Sequence, residues 1–159
     1  MAPPGPVVPG PVVPGPVGGA GPGPFVASED GGPGGGGPVG LGLDLVDIAR
    51  FGAVLARRPS ASRRLFTDGE RAYAATLANP VPSLAARFAA KEAVMKALGV
   101  GLGALEFVDV EVERQPSGKP TLVLTGRAAH LAAERDIRSW LVSLTHTDTA
   151  AAAVVIALA

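Results

Sequence analysis

The sequence predicts one folded domain of mixed type, in which antiparallel strands pack on a central helix. Three observations carry this reading. Residues 87–99 are almost wholly alanine, lysine, glutamate, methionine and leucine and end on a glycine, the composition and stop signal of a helix. Residues 39–44 and 108–113 alternate apolar with small or polar side chains, the period of a half-buried strand. Residues 139–144 and 151–158 are two more strand-like runs, and the short polar tip between them makes the pair a hairpin.

The 159 residues are not of one kind. Residues 1–37 hold no Lys or Arg, carry charge only at Glu29 and Asp30, and repeat Pro-Val-Val-Pro-Gly at 6–10 and 11–15. Such a segment buries too little apolar surface to offset its ordering entropy, so a disordered tail is expected over 1–37 and a domain over 38–159. The tail lacks the basic start and continuous apolar stretch of a signal peptide. All fourteen basic residues and twelve of the fourteen acidic ones fall in the domain, a formal charge of +2 that argues against nucleic acid as the partner. The absence of cysteine excludes disulfides, thiolate metal sites and a cysteine nucleophile. The last apolar run, 150–159, is too short to span a bilayer. A soluble cytoplasmic protein without a membrane partner is the expectation.

Taken in order, the first strand places Val39, Leu41, Leu43 and Leu45 in alternation and is expected to end near Asp44. Aspartate favours helix N-caps, but Asp47 can fill that role, which leaves Asp44 without a structural duty. A carboxylate in an apolar strand is costly unless paired. Residues 49–78 read as helix broken at Pro59, with Thr67 or Asp68 as a cap and Glu70 in the following first turn. This stretch sets Arg50, Arg57, Arg58, Arg63, Arg64 and Arg71 against Asp68 and Glu70, a net +4 that would attract an acidic macromolecule. Asn79-Pro80-Val81-Pro82 breaks the chain before the central helix.

In that helix Ala86, Ala90, Ala93 and Ala97 share one face, and Leu84, Phe88, Met95 and Leu98 form a bulkier stripe. Glu92 and Lys96, four apart, are neighbours on a third surface. Gly99, Gly101 and Gly103 then form a flexible loop, which follows a helix and so is no dinucleotide fingerprint. The strands 108–113 and 121–125 are joined by a turn at 115–120, and 127–135 is a short helix with His130 on its surface. The final run 151–158 is apolar throughout, which predicts burial on both faces.

On its own, the Glu92–Lys96 pair is an exposed helix pair worth a few tenths of a kcal/mol. Asp44 permits a sharper reading. Two converging carboxylates suit Mg²⁺, which is held by one or two carboxylates together with waters and substrate phosphates. Lys96, one turn from Glu92, can then reach a phosphate. Arg87 and Lys91 add positive charge, with the Lys91 stem packed and its head extending to solvent or phosphate. Such a set fits phosphoryl-type transfer from a pyrophosphate, where positioning and charge neutralisation do most of the catalysis. The hairpin tip Thr145-His146-Thr147-Asp148 is a candidate ligand contact.

Three blocks, VGLGLDLVDIARF at 39–51, RFAAKEAVMKALG at 87–99 with Val100-Gly101, and VSLTHTDTAAAAVVI at 142–156, together resemble the holo-acyl-carrier-protein synthases, a bacterial family of 4′-phosphopantetheinyl transferases. FVDVE at 107–111 and Gly118-Lys119-Pro120 fit the family's middle section, and the tail is unmatched. The resemblance implies an α+β fold of the 4′-phosphopantetheinyl transferase type, with antiparallel strands on a long central helix. It implies transfer of the phosphopantetheine arm from coenzyme A to a serine of apo acyl carrier protein, with release of adenosine 3′,5′-bisphosphate. By the same resemblance Asp44 and Glu92 are expected as Mg²⁺ ligands and Lys96 as the contact to the coenzyme A phosphates. Arg87, His146 and Thr147 are expected at the nucleotide site, and Arg50 as the arginine that docks the carrier protein. The serine proton goes to Glu92 or to a metal-held water. A homotrimer with active sites between subunits is implied as well. The residues alone also allow a non-catalytic carrier- or nucleotide-binding oligomer, or a Mg²⁺-dependent nucleotide hydrolase.

Overall fold

A long helix with almost no polar face runs through the middle of the structure, a computed structural model that describes residues 36–159. The order of elements is β1 (Pro38–Asp47), α1 (Ile48–Arg57), α2 (Pro59–Leu65), α3 (Asp68–Ala75), α4 (Val81–Ala97), a 3₁₀ turn (Phe107–Asp109), β2 (Val110–Arg114), β3 (Pro120–Leu124), α5 (Gly126–Ala133), β4 (Ser139–His146) and β5 (Ala150–Leu158). The mixture of helices and antiparallel strands is the expected α+β class. Apart from Gly36 and Gly37, the expected tail lies outside the described residues.

Strands β1, β5 and β4 form one antiparallel sheet in that order, and β2 and β3 form a separate hairpin. Helix α4 lies on the sheet over β1 and β5. It is the wall between two core clusters. Ala89, Ala93, Val94 and Met95 pack with Val110, Val112, Leu131 and Val155, whereas Leu84, Ala85 and Ala86 pack with Ile48, Phe51 and Phe66. The alanine face works as its small side chains suggest: Ala90 and Ala93 are fully buried. The bulky stripe is buried at Leu84, Met95 and Leu98. Helix α4 starts six residues ahead of the 87–99 core, because Pro82 in its first turn needs no intrahelical donor. It stops where expected. Gly99 takes φ +68°, its N–H bonds to Lys96 O at 3.0 Å, and Val100 N bonds to Met95 O at 2.9 Å, a Schellman ending.

Several expectations need correction. Strand β1 does not end near Asp44 but runs on to Asp47, so Asp44 is interior to the strand and pairs with Ala153. Asp47 is the cap of α1, accepting from Arg50 N at 2.7 Å. Residues 107–109 form a 3₁₀ turn, so the middle strand starts at Val110. Strand β5 is not buried on both faces within the chain: Ala151, Ala153, Val155 and Ala157 are buried against α4, while the alternate residues are only half-buried. They adjoin Val39, Leu41, Leu43 and Leu45 of β1, which are 54–67 % exposed. The sheet thus has one dry face and one open apolar face. No helix among the described residues is long and apolar enough to cross a membrane.

Candidate active site

The site begins with how closely β1 approaches α4. Gly42 has no side chain, and a Cβ built there would lie 2.7 Å from the Ala93 carbonyl carbon and closer still to its oxygen. Gly40 meets the Ala97 carbonyl in the same way, its Cβ 3.1 Å from the carbon. Glycines at 40 and 42 therefore let backbone lie on backbone. Asp44 is next on the same side of the strand, opposite buried Ala153, and is delivered to the C-terminal half of α4.

There it meets Lys96 directly, and its charge is felt by Glu92, the other α4 residue expected to join it. Lys96 Nζ lies 2.8 Å from Asp44 Oδ1 and donates to Leu43 O at 2.9 Å, across 52 and 53 residues of sequence. The Asp44 side chain is 17 % exposed and that of Lys96 50 %, so solvent screens the pair and its contribution to stability is small. Glu92, one turn before Lys96, is half-buried. Burial raises its pKa above the ordinary carboxylate value, the neighbouring Asp44 charge raises it further, and Lys96 opposes both. Two carboxylates and an ammonium within each other's field thus sit at a solvent-accessible edge.

The donor set fits a hard divalent cation. Both carboxylates offer oxygen, and the Lys96 ammonium already stands as a cation on Asp44. Among the described residues no group of three or more His, Cys, Asp or Glu forms a cage. Two carboxylates with coordination left for water and substrate oxygens is a Mg²⁺-like arrangement rather than a zinc-like one.

The other expected residues lie elsewhere on the chain. Arg87 is on a different face of α4, 6 % exposed, bonded to Ser83 Oγ at 2.5 Å and with its guanidinium 4.4 Å from the centre of the Tyr73 ring. Burial lowers its pKa, an effect that Glu70 and Tyr73 oppose. It lines a cleft of about 270 Å³ with Tyr73, Glu111 and Arg114, and its buried Nε has no partner. His146 and Thr147 lie at the β4–β5 tip, and His146 is two strands across from Val46. Thr147 Oγ1 closes the tip by accepting from Ala150 N at 3.1 Å. Among the described residues no hydrogen bond or ion pair joins Arg87, His146 or Thr147 to the Asp44–Glu92–Lys96 group. Arg50 is exposed at the start of α1.

Lys91 departs from expectation. Its head does not reach solvent or phosphate: it is fully buried, 2.6 Å from Glu70 Oε2, and donates to Val110 O at 2.6 Å and Phe107 O at 2.9 Å. Glu70 was legible only as a first-turn residue of α3. In the fold it also accepts from Thr67 N at 3.0 Å, as half of a capping box, and from Val112 N at 3.0 Å.

A sheet with a helix laid on glycines, and two carboxylates beside an ammonium where they meet, define a class that comparison with known proteins identifies. The family model described as the 4′-phosphopantetheinyl transferase superfamily matches residues 40–155, and the chain belongs to that family. A holo-[acyl-carrier-protein] synthase of Moorella thermoacetica is 46 % identical over 113 residues, which cover 71 % of this chain and 88 % of the relative. The crystal structure of the Neisseria meningitidis synthase superposes with TM-score 0.70 at 29 % identity, over 76 % of this chain and 98 % of that one. The Helicobacter pylori synthase, solved in complex with coenzyme A, gives TM-score 0.65 at 30 % identity over 74 % and 98 %. Within the superfamily the chain is one of the holo-acyl-carrier-protein synthases, an enzyme family.

Proposed function

We propose that this chain transfers the 4′-phosphopantetheine arm of coenzyme A to a serine hydroxyl of apo acyl carrier protein and releases adenosine 3′,5′-bisphosphate. The observation that carries the reading is the ion pair of Asp44, from a strand, with Lys96, from a helix far away in sequence, one helical turn from Glu92, whose carboxyl feels both charges.

Asp44 and Glu92 would hold Mg²⁺, which when bound neutralises charge on the pyrophosphate as its phosphorus–oxygen bond breaks, an effect of several kcal/mol. Lys96 guards Asp44 in the resting chain and turns its ammonium to the leaving phosphate when the pyrophosphate arrives. The serine oxygen bonds to phosphorus, the bond to the bisphosphate breaks, and the serine proton passes to Glu92 directly or through a water held by it. Arg87, which lines the cleft beside Tyr73, and the tip residues His146 and Thr147 take the nucleotide end of coenzyme A. Arg50 docks the acidic face of the carrier.

In this reading the open leucine face of the sheet is covered by the same face of two further copies, a homotrimer. Contiguous exposed apolar surface of this kind marks association sites. A site shared between copies brings the hairpin tip of one chain to the carboxylates of another.

The test is to incubate the protein with apo carrier protein, coenzyme A and Mg²⁺ and weigh the carrier by mass spectrometry. One added phosphopantetheine group, abolished by EDTA, is the expected result. Coenzyme A consumed with the carrier unloaded makes the chain a nucleotide hydrolase. Carrier bound but unchanged makes it a binding module. Either outcome overturns the proposal.

A further inference from the structure

The proposed reaction makes no use of the two most deeply buried charges in the described fold. Lys91 and Glu70 are 0 % and 1 % exposed. Burying two ions costs several kcal/mol each, and well-packed apolar residues often stabilise a fold as well as the ion pair they replace. Stability alone is therefore a poor account of this pair. Its geometry suggests another. The Lys91 ammonium is saturated by three acceptors, Glu70 Oε2 at 2.6 Å, Val110 O at 2.6 Å and Phe107 O at 2.9 Å. Glu70 is saturated in turn by Thr67 N and Val112 N, each at 3.0 Å. The start of α3, the 3₁₀ turn and the edge of β2 are thus all tied to one atom of α4.

That atom belongs to the residue next to Glu92. The adjacent flank of α4 is fixed by the Gly42 contact with the Ala93 carbonyl. Fixed on two flanks, the helix is opposed from turning about its axis in either direction. A side chain at the helix surface lies about 5–6 Å from that axis, so a turn of only about 10° would move the Glu92 carboxyl group by about 1 Å.

We propose that Lys91, held by Glu70, is a positioning residue for transfer: it sets the rotation of α4 and so the placing of Glu92 and Lys96 against Asp44. This rests on the reading of those three as the reacting group. Apolar side chains could fill the same volume, but only a directional tripod of hydrogen bonds specifies an angle.

The experiment compares Lys91→Met, Lys91→Met/Glu70→Met and Glu70→Asp with the parent. Tm, kcat, both KM values and the affinity for Mg²⁺ alone, by calorimetry, are measured for each. Lys91→Met leaves Glu70 buried and unpaired and is expected to melt far below the parent. The double variant has no orphaned charge and is expected to regain part of that Tm, the remainder being lost because Val110 O, Phe107 O, Thr67 N and Val112 N no longer have partners. Its kcat is expected to stay down by about 100-fold, the loss associated with a 1 Å misplacement, and its Mg²⁺ affinity to fall about tenfold, with both KM values within about threefold of the parent. Glu70→Asp keeps both charges and shortens the tether by one methylene. It answers the question even if the double variant does not fold: its kcat is expected to fall about tenfold, and its Tm to fall by less than that of Lys91→Met, because the charge pair is kept while its buried bonds are lengthened. Parent kcat and parent Mg²⁺ affinity in either folded variant overturn the inference alone. A parent chain that neither binds Mg²⁺ nor loads the carrier overturns the reading of the site, and the inference with it.

Discussion

The sharpest consequence of this architecture concerns Gly42. Strand β1 and helix α4 touch there through bare backbone, and an added Cβ would lie 2.7 Å from Ala93 C and 3.0 Å from Ala97 N. Neither atom can swing aside as the tip of a side chain can. An ordinary separation of about 3.5–4.0 Å from that carbon, and clearance of the still nearer Ala93 carbonyl oxygen, are regained only if strand and helix part by more than about 1 Å. Overpacking of this kind costs about 1–3 kcal/mol, which for a domain of this size lowers Tm by roughly 5–10 °C. Asp44 is two residues along and on the same face, so it moves with the strand, away from Glu92 and Lys96. A 1 Å displacement of groups that must act together costs about 100-fold in rate. Gly42→Ala is therefore expected to melt lower and to load apo carrier about 100-fold more slowly, read by mass spectrometry under saturating coenzyme A. Gly37→Ala is the control, since nothing lies within 4 Å of a Cβ there. A Gly42→Ala protein that melts and loads like the parent would refute the claim that this contact places Asp44.

Three further outcomes follow from the same geometry. Glu92→Gln is expected to lower transfer by at least about 100-fold. It should also change stability with a definite sign. Burial and Asp44 raise the folded pKa of Glu92, so its ionisation costs stability above the ordinary carboxylate range and costs nothing below it. The variant should therefore melt above the parent at pH 8, the gap closing towards pH 4; a lower Tm than the parent at pH 8 counts against the assigned environment. Leu43→Asp puts a charge into the open face of the sheet; if that face forms the proposed trimer interface, the parent scatters light as a trimer and the variant as single chains, and an intact trimer in the variant would remove the face from the proposed interface. Arg50→Glu is expected to raise KM for the carrier about tenfold, about 1.4 kcal/mol, and to weaken its salt dependence, with KM for coenzyme A unchanged.

What could be read in advance divides along physical lines. The central helix, its Gly99 stop, both hairpins and the cap at Thr67 are local matters of propensity and turn chemistry, and the structure has them. The meeting of Asp44, Glu92 and Lys96 is not local. Composition and spacing only permitted it, and the resemblance of three blocks supplied the expectation. The Glu70–Lys91 pair was missed because each residue has a good local explanation, a first-turn acid in one case and an amphipathic helix lysine in the other. The available signal was a lysine on the same flank of α4 as large apolar residues, with a glutamate upstream that a Thr67 capping box already fixes in space. Arg87 was expected at the nucleotide site from the resemblance, and nothing local showed that its guanidinium would be buried against Tyr73.

The alternation in β1 marks a strand, yet its sense is the reverse of the usual one. In a half-buried strand the apolar residues face the core. Here the leucines face outward, and Gly40, Gly42 and Asp44 face the helix. Strand pleating makes this a single choice. For Asp44 to meet Glu92 and Lys96, every residue of its parity must face α4, and only glycine is small enough to let the backbones approach. Residues of the other parity must then face away, and four of them are apolar. A slip of one residue would drive leucines into the Ala93 and Ala97 carbonyls and turn Asp44 to the open side. The parity that builds the carboxylate pair is therefore the parity that leaves an apolar sheet face exposed. In this chain the proposed chemistry and the proposed assembly are two consequences of one strand's register.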